Sequence, residues 1–173
     1  MCACLVEGSV RRNDKLELVM AEVFTGTCQC GAVEYRVTGE SINLFICHCT
    51  QCQKQSSSAF GMALWIEDYT IEHLTAELAV WKRQTSTGYE MVGEFCRTCG
   101  TRLFHRHSAN PQVLSIKPGT LHETKHLKPV AHIWTSEAQE WLDFPSTLIA
   151  YPEDPPSFEE MIRAWHELQK SPI

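Results

Sequence analysis

The sequence predicts a mostly β domain with many short strands and one C-terminal helix. Two observations carry this. Short alternating or apolar stretches recur between Val33 and Trp134, with turn residues separating them. A single helical apolar period appears near the end, after a proline-rich stretch. The length of 173 residues suits one domain with room for a hydrophobic core.

Residues 1–22 read as an N-terminal extension, expected to be flexible. The domain proper is expected over 23–156. Val33, Tyr35 and Val37 alternate with Glu34 and Arg36, a strand that Gly39 is expected to end. Residues 43–47 form a second apolar stretch that runs into CHCTQC. The following KQSSSAF is expected to be a polar loop, and GMALWI a buried strand. Further short strands are expected at 79–83, 90–95, 101–107 and 113–116. Residues 85–88 read as a turn, and Lys117, Pro118 and Gly119 close the strand before them. Residues 130–134 read as the last strand, and Pro145, Pro152, Pro155 and Pro156 mark an irregular tail.

The helix is expected over 157–170. Ser157 and Glu160 have the spacing of a capping box. Phe158, Met161, Ile162, Trp165 and Leu168 follow helical spacing. That apolar face suits packing on the body or on a second copy, so a homodimer is one expectation.

The formal net charge is −6, without a basic block, which argues against nucleic acid or an anionic membrane surface as partner. No apolar run approaches the ~20 residues of a membrane helix. Glu7, Arg11, Arg12, Asp14 and Lys15 interrupt any secretory apolar core at the start. A cytoplasmic protein with reduced thiols is therefore expected, and clustered cysteines there favour metal binding or chemistry over disulfides. Cys2 and Cys4 read as terminal free thiols.

There are nine cysteines, an odd number that excludes full internal pairing. Seven fall into three clusters: Cys28 and Cys30, then Cys47, Cys49 and Cys52, then Cys96 and Cys99. Gly31 and Gly100 each follow the last cysteine of a cluster. A glycine there lets the backbone turn its amides toward the sulfurs. This shared detail joins the first cluster to the third as a four-cysteine metal site. Cys47, Cys49 and Cys52 remain. Three ligands leave one position open, the mark of a catalytic zinc. Two other readings stay open at this point: a site closed by a histidine, and a metal-free redox cluster. His48 is a poor closing ligand, being adjacent to both flanking cysteines.

The motifs GTCQCGAVEY, CHCTQCQKQSSSAF and FCRTCGTRLF resemble the glutathione-dependent formaldehyde-activating enzyme (GFA) family, also called the CENP-V/GFA domain. The resemblance continues in GTL at 119–121 and in HLKPVAHIWTSEAQEWL, and spans about residues 24–150. It implies an Mss4-like (β-tent) fold of antiparallel sheets with zinc knuckles. It implies two zinc ions, a structural one on Cys28, Cys30, Cys96 and Cys99 and a catalytic one on Cys47, Cys49 and Cys52. It also implies a carbon–sulfur lyase adding glutathione to formaldehyde to give S-hydroxymethylglutathione. One departure is Ser57, which stands where the family pattern has glycine. If that position needs positive φ, serine costs about 1 kcal/mol there.

Other candidates are weaker. Lys54, Arg97 and Arg102 lie close in sequence to the cysteines and suit either substrate carboxylates or solvated surface. Ser56, Ser57 and Ser58 lack a nucleophile elbow and read as loop hydroxyls donating to sulfur or substrate. His105 and His107 read as edge histidines ahead of a metal pair. His122 and His126 cluster loosely with His132, which is placed to line a pocket. Trp65, Trp81, Trp134 and Trp141 read as core rather than ligand cage. Thiols add to formaldehyde unaided, so a non-catalytic zinc module binding a thiol ligand or a protein partner is the alternative function. A sulfoxide-reductase reading would need a catalytic cysteine beyond the zinc ligands, and only Cys2 and Cys4 are spare.

Overall fold

The computed structural model describes residues 21–85 and 88–170. Cys2 and Cys4, and nearly all of the expected N-terminal extension, lie outside these residues. The fold is mainly β. Among the described residues nine strands form one sheet: β1 (Glu22–Thr27), β2 (Glu34–Cys47), β3 (Gly61–Leu74), β4 (Ala79–Gln84), β5 (Glu90–Phe95), β6 (Arg102–His107), β7 (Val113–Ile116), β8 (Ala131–Ile133) and β9 (Ile149–Ala150). The described residues also form the α-helices α1 (Thr50–Ser56) and α2 (Glu159–Lys170). No described helix is long and apolar enough to cross a membrane.

The sheet order is β4-β5-β6-β7-β3-β2-β8-β9, and β1 pairs with the first half of β2. All pairings are antiparallel except β2 with β8 and β8 with β9. The sheet is therefore mixed rather than purely antiparallel. β8 returns beside β2 after a long excursion from β7, and that crossover sets it parallel.

Gly39 does not end a strand. β2 runs through it, with register shifts against β3 between Arg36 and Val37, between Thr38 and Glu40, and between Ser41 and Asn43. A Cβ at Gly39 would lie 2.5 Å from Ile66 Cγ2 and 2.8 Å from Glu67 O. Glycine is what lets β3 approach at this bulge. The expected polar loop after the second cysteine cluster is also corrected, since its first half is α1. No residue of α1 is buried, so the helix has no apolar period to display.

The core lies around Leu44, Leu64, Ile66, Leu103, Phe104, Leu114 and Ile116, all fully buried. Tyr35 meets Phe104 edge to face at 5.0 Å and its hydroxyl lies 2.8 Å from Thr120 Oγ1. Helix α2 spends its apolar face on the chain's own sheet. Met161 and Trp165 are buried, and Trp165 Nε1 donates to Ser41 O of β2 at 2.8 Å. Only half of the capping box forms. Ser157 Oγ accepts from the Glu159 amide at 3.2 Å, while Glu160 accepts from the Tyr151 hydroxyl instead.

Candidate metal centres and the cavity between the strands

Two turns of matching geometry hold the first group of cysteines. Gly31 and Gly100 have φ of 76° and 75°, and no neighbour would obstruct a Cβ at either. The left-handed backbone, not space, calls for glycine there. Each turn closes with a glycine amide bonding back, Gly31 to Cys28 O and Gly100 to Cys96 O. The backbone then points N–H groups at sulfur: Val33 N to Cys28 Sγ at 3.2 Å and Thr98 N to Cys96 Sγ at 3.4 Å. The Thr101 hydroxyl, 3.1 Å from Cys99 Sγ, pulls that thiol down to about 5.

The four sulfurs of Cys28, Cys30, Cys96 and Cys99 lie within 4.8 Å of one another. A tetrahedral thiolate site with metal–sulfur bonds of ~2.3 Å has edges of ~3.8 Å. The Cys28–Cys30 and Cys30–Cys96 separations, 3.5 and 3.9 Å, bracket that edge. These residues fit a metal ion.

Cys47, Cys49 and Cys52 form the second group, again with sulfurs within 4.8 Å. Cys47 ends β2, and Cys49 is the N-cap of α1, its Sγ accepting from the Cys52 amide at 3.4 Å. Contacts with Cys47 and Cys52 pull Cys49 down to about 2, and contacts with Cys49 and Cys52, with burial, push Cys47 up. Three crowded soft sulfurs unwilling to ionise together are a donor set that a cation would relieve. This group, too, could hold a metal ion.

His48 is not part of the second group. It points the other way, buried, with Nε2 2.9 Å from His132 Nδ1 and the two rings stacked at 5.2 Å. Burial holds both rings below the ordinary histidine range. Phe60 and Phe144 pack edge-on around this pair. His132 therefore braces the cysteine turn from behind and is not among the cavity-lining residues. Gln53 secures the same turn, donating to His48 O at 2.6 Å and to Glu137 O at 2.8 Å.

The second group opens into a cavity of about 410 Å³ to which β2 through β8 each contribute a residue. The first group does not line it. Its apolar walls include Phe45, Met62, Trp65, Trp134 and Phe158. Its polar walls include Arg83, His105, Arg106, His107, Ser115 and Lys117 on one side and Glu137 and Asp154 elsewhere. Trp134 is held in the left-handed region, φ 58°, and its Nε1 donates to Asp154 Oδ1 at 2.8 Å.

Several sequence expectations change here. His105 and His107 are cavity residues rather than edge residues. Trp65 and Trp134 line the cavity, while Trp81 and Trp141 are 47% and 70% exposed, so neither of those is core. Arg97 pairs with Glu77 on the surface. Lys54, Ser57 and Ser58 border a separate shallow groove. Ser56 Oγ donates to Cys52 O and Phe60 O, both at 2.8 Å, and not to sulfur. Ser57 caps α1 with φ 51°, so the position does demand the left-handed region. His122 and His126 are not among the cavity-lining residues.

Lys117, Arg83 and Arg106 escaped the sequence reading. Burial pushes the Lys117 ammonium down, and the Cys52 and Cys47 thiolates push it back up. Its Nζ lies 3.4 Å from Met62 O. Burial takes His105 down to about 2, with Lys117, Arg102 and Arg83 adding to the effect.

A crystal structure of a Rhodobacter sphaeroides protein is similar at 25% identity, covering 61% of this chain and 91% of that one with a TM-score of 0.43. No curated protein is similar at a significant level. Residues 23–137, which contain both cysteine groups and most of the cavity wall, match the family described as glutathione-dependent formaldehyde-activating enzyme, and the chain belongs to that family.

Proposed function

We propose that this chain is a zinc-dependent carbon–sulfur lyase that forms or cleaves S-hydroxymethylglutathione or a related thiol adduct. In this reading Cys28, Cys30, Cys96 and Cys99 hold a structural zinc, and Cys47, Cys49 and Cys52 hold a second zinc with one position open. The observation that carries it is the difference between the two groups. Only the three-cysteine group opens into the cavity. An open ligand position is what separates catalytic from structural zinc. Zinc bound there would supply a Lewis acid that lowers the pKa of an incoming thiol.

The chain's own side chains then orient the substrate. Glutathione carries two carboxylates and one ammonium. Arg83 and Arg106 offer cations to the former, while Glu137 and Asp154 offer anions to the latter. Phe45, Trp65 and Phe158 pack together, with Trp65 and Phe158 centroids 4.6 Å apart, and exclude water from that end.

The test is an exchange assay following S-hydroxymethylglutathione formation from glutathione and formaldehyde. The wild-type protein is expected to accelerate it above the spontaneous rate. Cys49→Ser, folded by circular dichroism, is expected to lose the acceleration. Tight thiol binding without any acceleration would favour the non-catalytic module instead.

A further inference from the structure

Addition of a thiol to an aldehyde places negative charge on the carbonyl oxygen, and something must hold it. We propose that Lys117 Nζ and the ring N–H of His105 are the paired donors for that oxygen, with Arg102 positioning His105. This inference rests on the lyase reading above.

Lys117 follows β7 and faces the cavity shared with Cys47, Cys49 and Cys52. Its ammonium has one long contact, to Met62 O at 3.4 Å. No carboxylate among the described residues pairs with it. The Cys52 and Cys47 sulfurs favour its charged form through space, but neither hydrogen-bonds to it, so its N–H groups stay open to an oxygen that becomes charged beside the cluster. The cavity's arginines are partly engaged, Arg106 beside Glu94 at 3.0 Å and Arg83 with Gln84 O at 3.3 Å. Lys117 is therefore the cation left for a group that appears beside the cysteine cluster.

His105 is the second donor because Arg102 decides where its proton sits. Arg102 Nη1 lies 2.8 Å from His105 Nε2. A guanidinium only donates, so Nε2 accepts and the ring proton is on Nδ1. No acceptor among the described residues takes that proton. Arg102 reaches this position through a lane kept clear by Gly93, where a Cβ would sit 1.8 Å from Nη1. Trp81 and Phe95 flank the guanidinium, with ring centroids 5.9 and 5.4 Å from Cζ.

The balance of the step is simple. The thiolate electron pair forms the C–S bond, and the carbonyl π pair moves onto oxygen. The proton released by the thiol returns to that oxygen through solvent, so thiol and aldehyde give the hydroxymethyl adduct with nothing left over. The two donors hold the oxygen while it is charged.

The test compares wild type, Lys117→Met, Lys117→Arg and Arg102→Met as metal-loaded proteins. Turnover is measured with glutathione and formaldehyde. Binding is measured by calorimetry with S-methylglutathione, which has the sulfur and carboxylates but no hydroxyl. Lys117→Met is expected to lose about 100-fold in turnover, the scale of one oxyanion donor. Its S-methylglutathione affinity is expected to stay within about twofold, by the same argument. Lys117→Arg should recover part of the loss. Arg102→Met should lower turnover and shift the His105 ring ¹⁵N signals from a single Nδ1–H tautomer to a mixture. Unchanged turnover in Lys117→Met would overturn the proposal. So would a parallel loss of S-methylglutathione binding, which would make Lys117 a carboxylate anchor. A wild-type protein that never accelerates exchange would sink the lyase reading itself, and the donor pair with it.

Discussion

Arg102 donates to His105 across 2.8 Å, and burial, with the Lys117 and Arg102 charges adding to it, keeps the histidine neutral in the folded protein. Burial holds the ring at about 2. In the unfolded chain it titrates near ~6.5. Between these values the unfolded state takes up a proton that the folded state refuses. The contribution is therefore fully present above about pH 6.5 and is lost as pH falls toward about 2. His105→Gln keeps an acceptor for Arg102 and removes the titration. Its urea midpoint is expected to fall less between pH 7.5 and 5.5 than that of wild type. His48, His107 and His132, also held below their ordinary range, are common to both proteins and cancel in the comparison. Equal losses would show that His105 does not resist protonation.

Metal content separates the two cysteine groups. The first group joins turns 66 residues apart at Cys30 and Cys96, so its metal would act as a cross-link in the fold. The second group lies within six residues of chain and cross-links little. Elemental analysis is expected to find about two zinc ions per wild-type chain, one for each group. Cys49→Ser should retain about one, with its circular dichroism unchanged. Cys96→Ser should lose its cooperative unfolding transition. Chelator titration should empty the three-ligand site before any loss of structure. A folded Cys96→Ser protein with normal thermal unfolding would contradict the structural role.

The cysteine groups were legible in the sequence because each turn is local. Ligand spacing and a trailing glycine sit within a few residues, and Gly31 and Gly100 take the conformation their type announces. The cavity was not legible. Arg83, His105, Lys117 and Cys47 meet only through the strand order β4-β5-β6-β7-β3-β2, which no single stretch of chain encodes. Lys117 read as closing a strand, and it does follow the last residue of β7. His105 shares its strand with buried Leu103 and Phe104, so sequence alternation could not separate a cavity residue from an edge residue. Asp154 and Phe158 enter the cavity from beyond the family-matched segment. A resemblance confined to that segment could not have announced them.

Trp165 ties α2 to the bulged part of β2. The side chain is 2% exposed, and Ser41 O accepts from its indole. Trp165→Ala is expected to cost about 3–5 kcal/mol, the range for deleting a large buried aromatic. Trp165→Phe keeps most of the packing but leaves the Ser41 carbonyl without its donor, which costs about 1–3 kcal/mol. Denaturant unfolding checks both. The ordering matters more than either value. A phenylalanine variant as unstable as the alanine variant would mean that the hydrogen bond, not the packing, holds the helix.

Ser57 occupies the left-handed C-cap of α1 at φ 51°, ψ 39°. Its amide bonds back to Gln53 O and Lys54 O, so the helix cannot relax the angle without losing its cap. A serine Cβ is strained in this region, whereas glycine is not. Ser57→Gly is expected to stabilise the protein by about 0.5 kcal/mol, net of the extra freedom glycine gains when unfolded. For a chain of this size that raises Tm by about 1–2 °C, measurable by calorimetry. The substitution restores the residue type that the family pattern has at this position. Ser57 borders the outer groove rather than the cavity, so thiol binding should not change. A lowered Tm would show that the serine hydroxyl contributes more to this turn than its backbone angle costs.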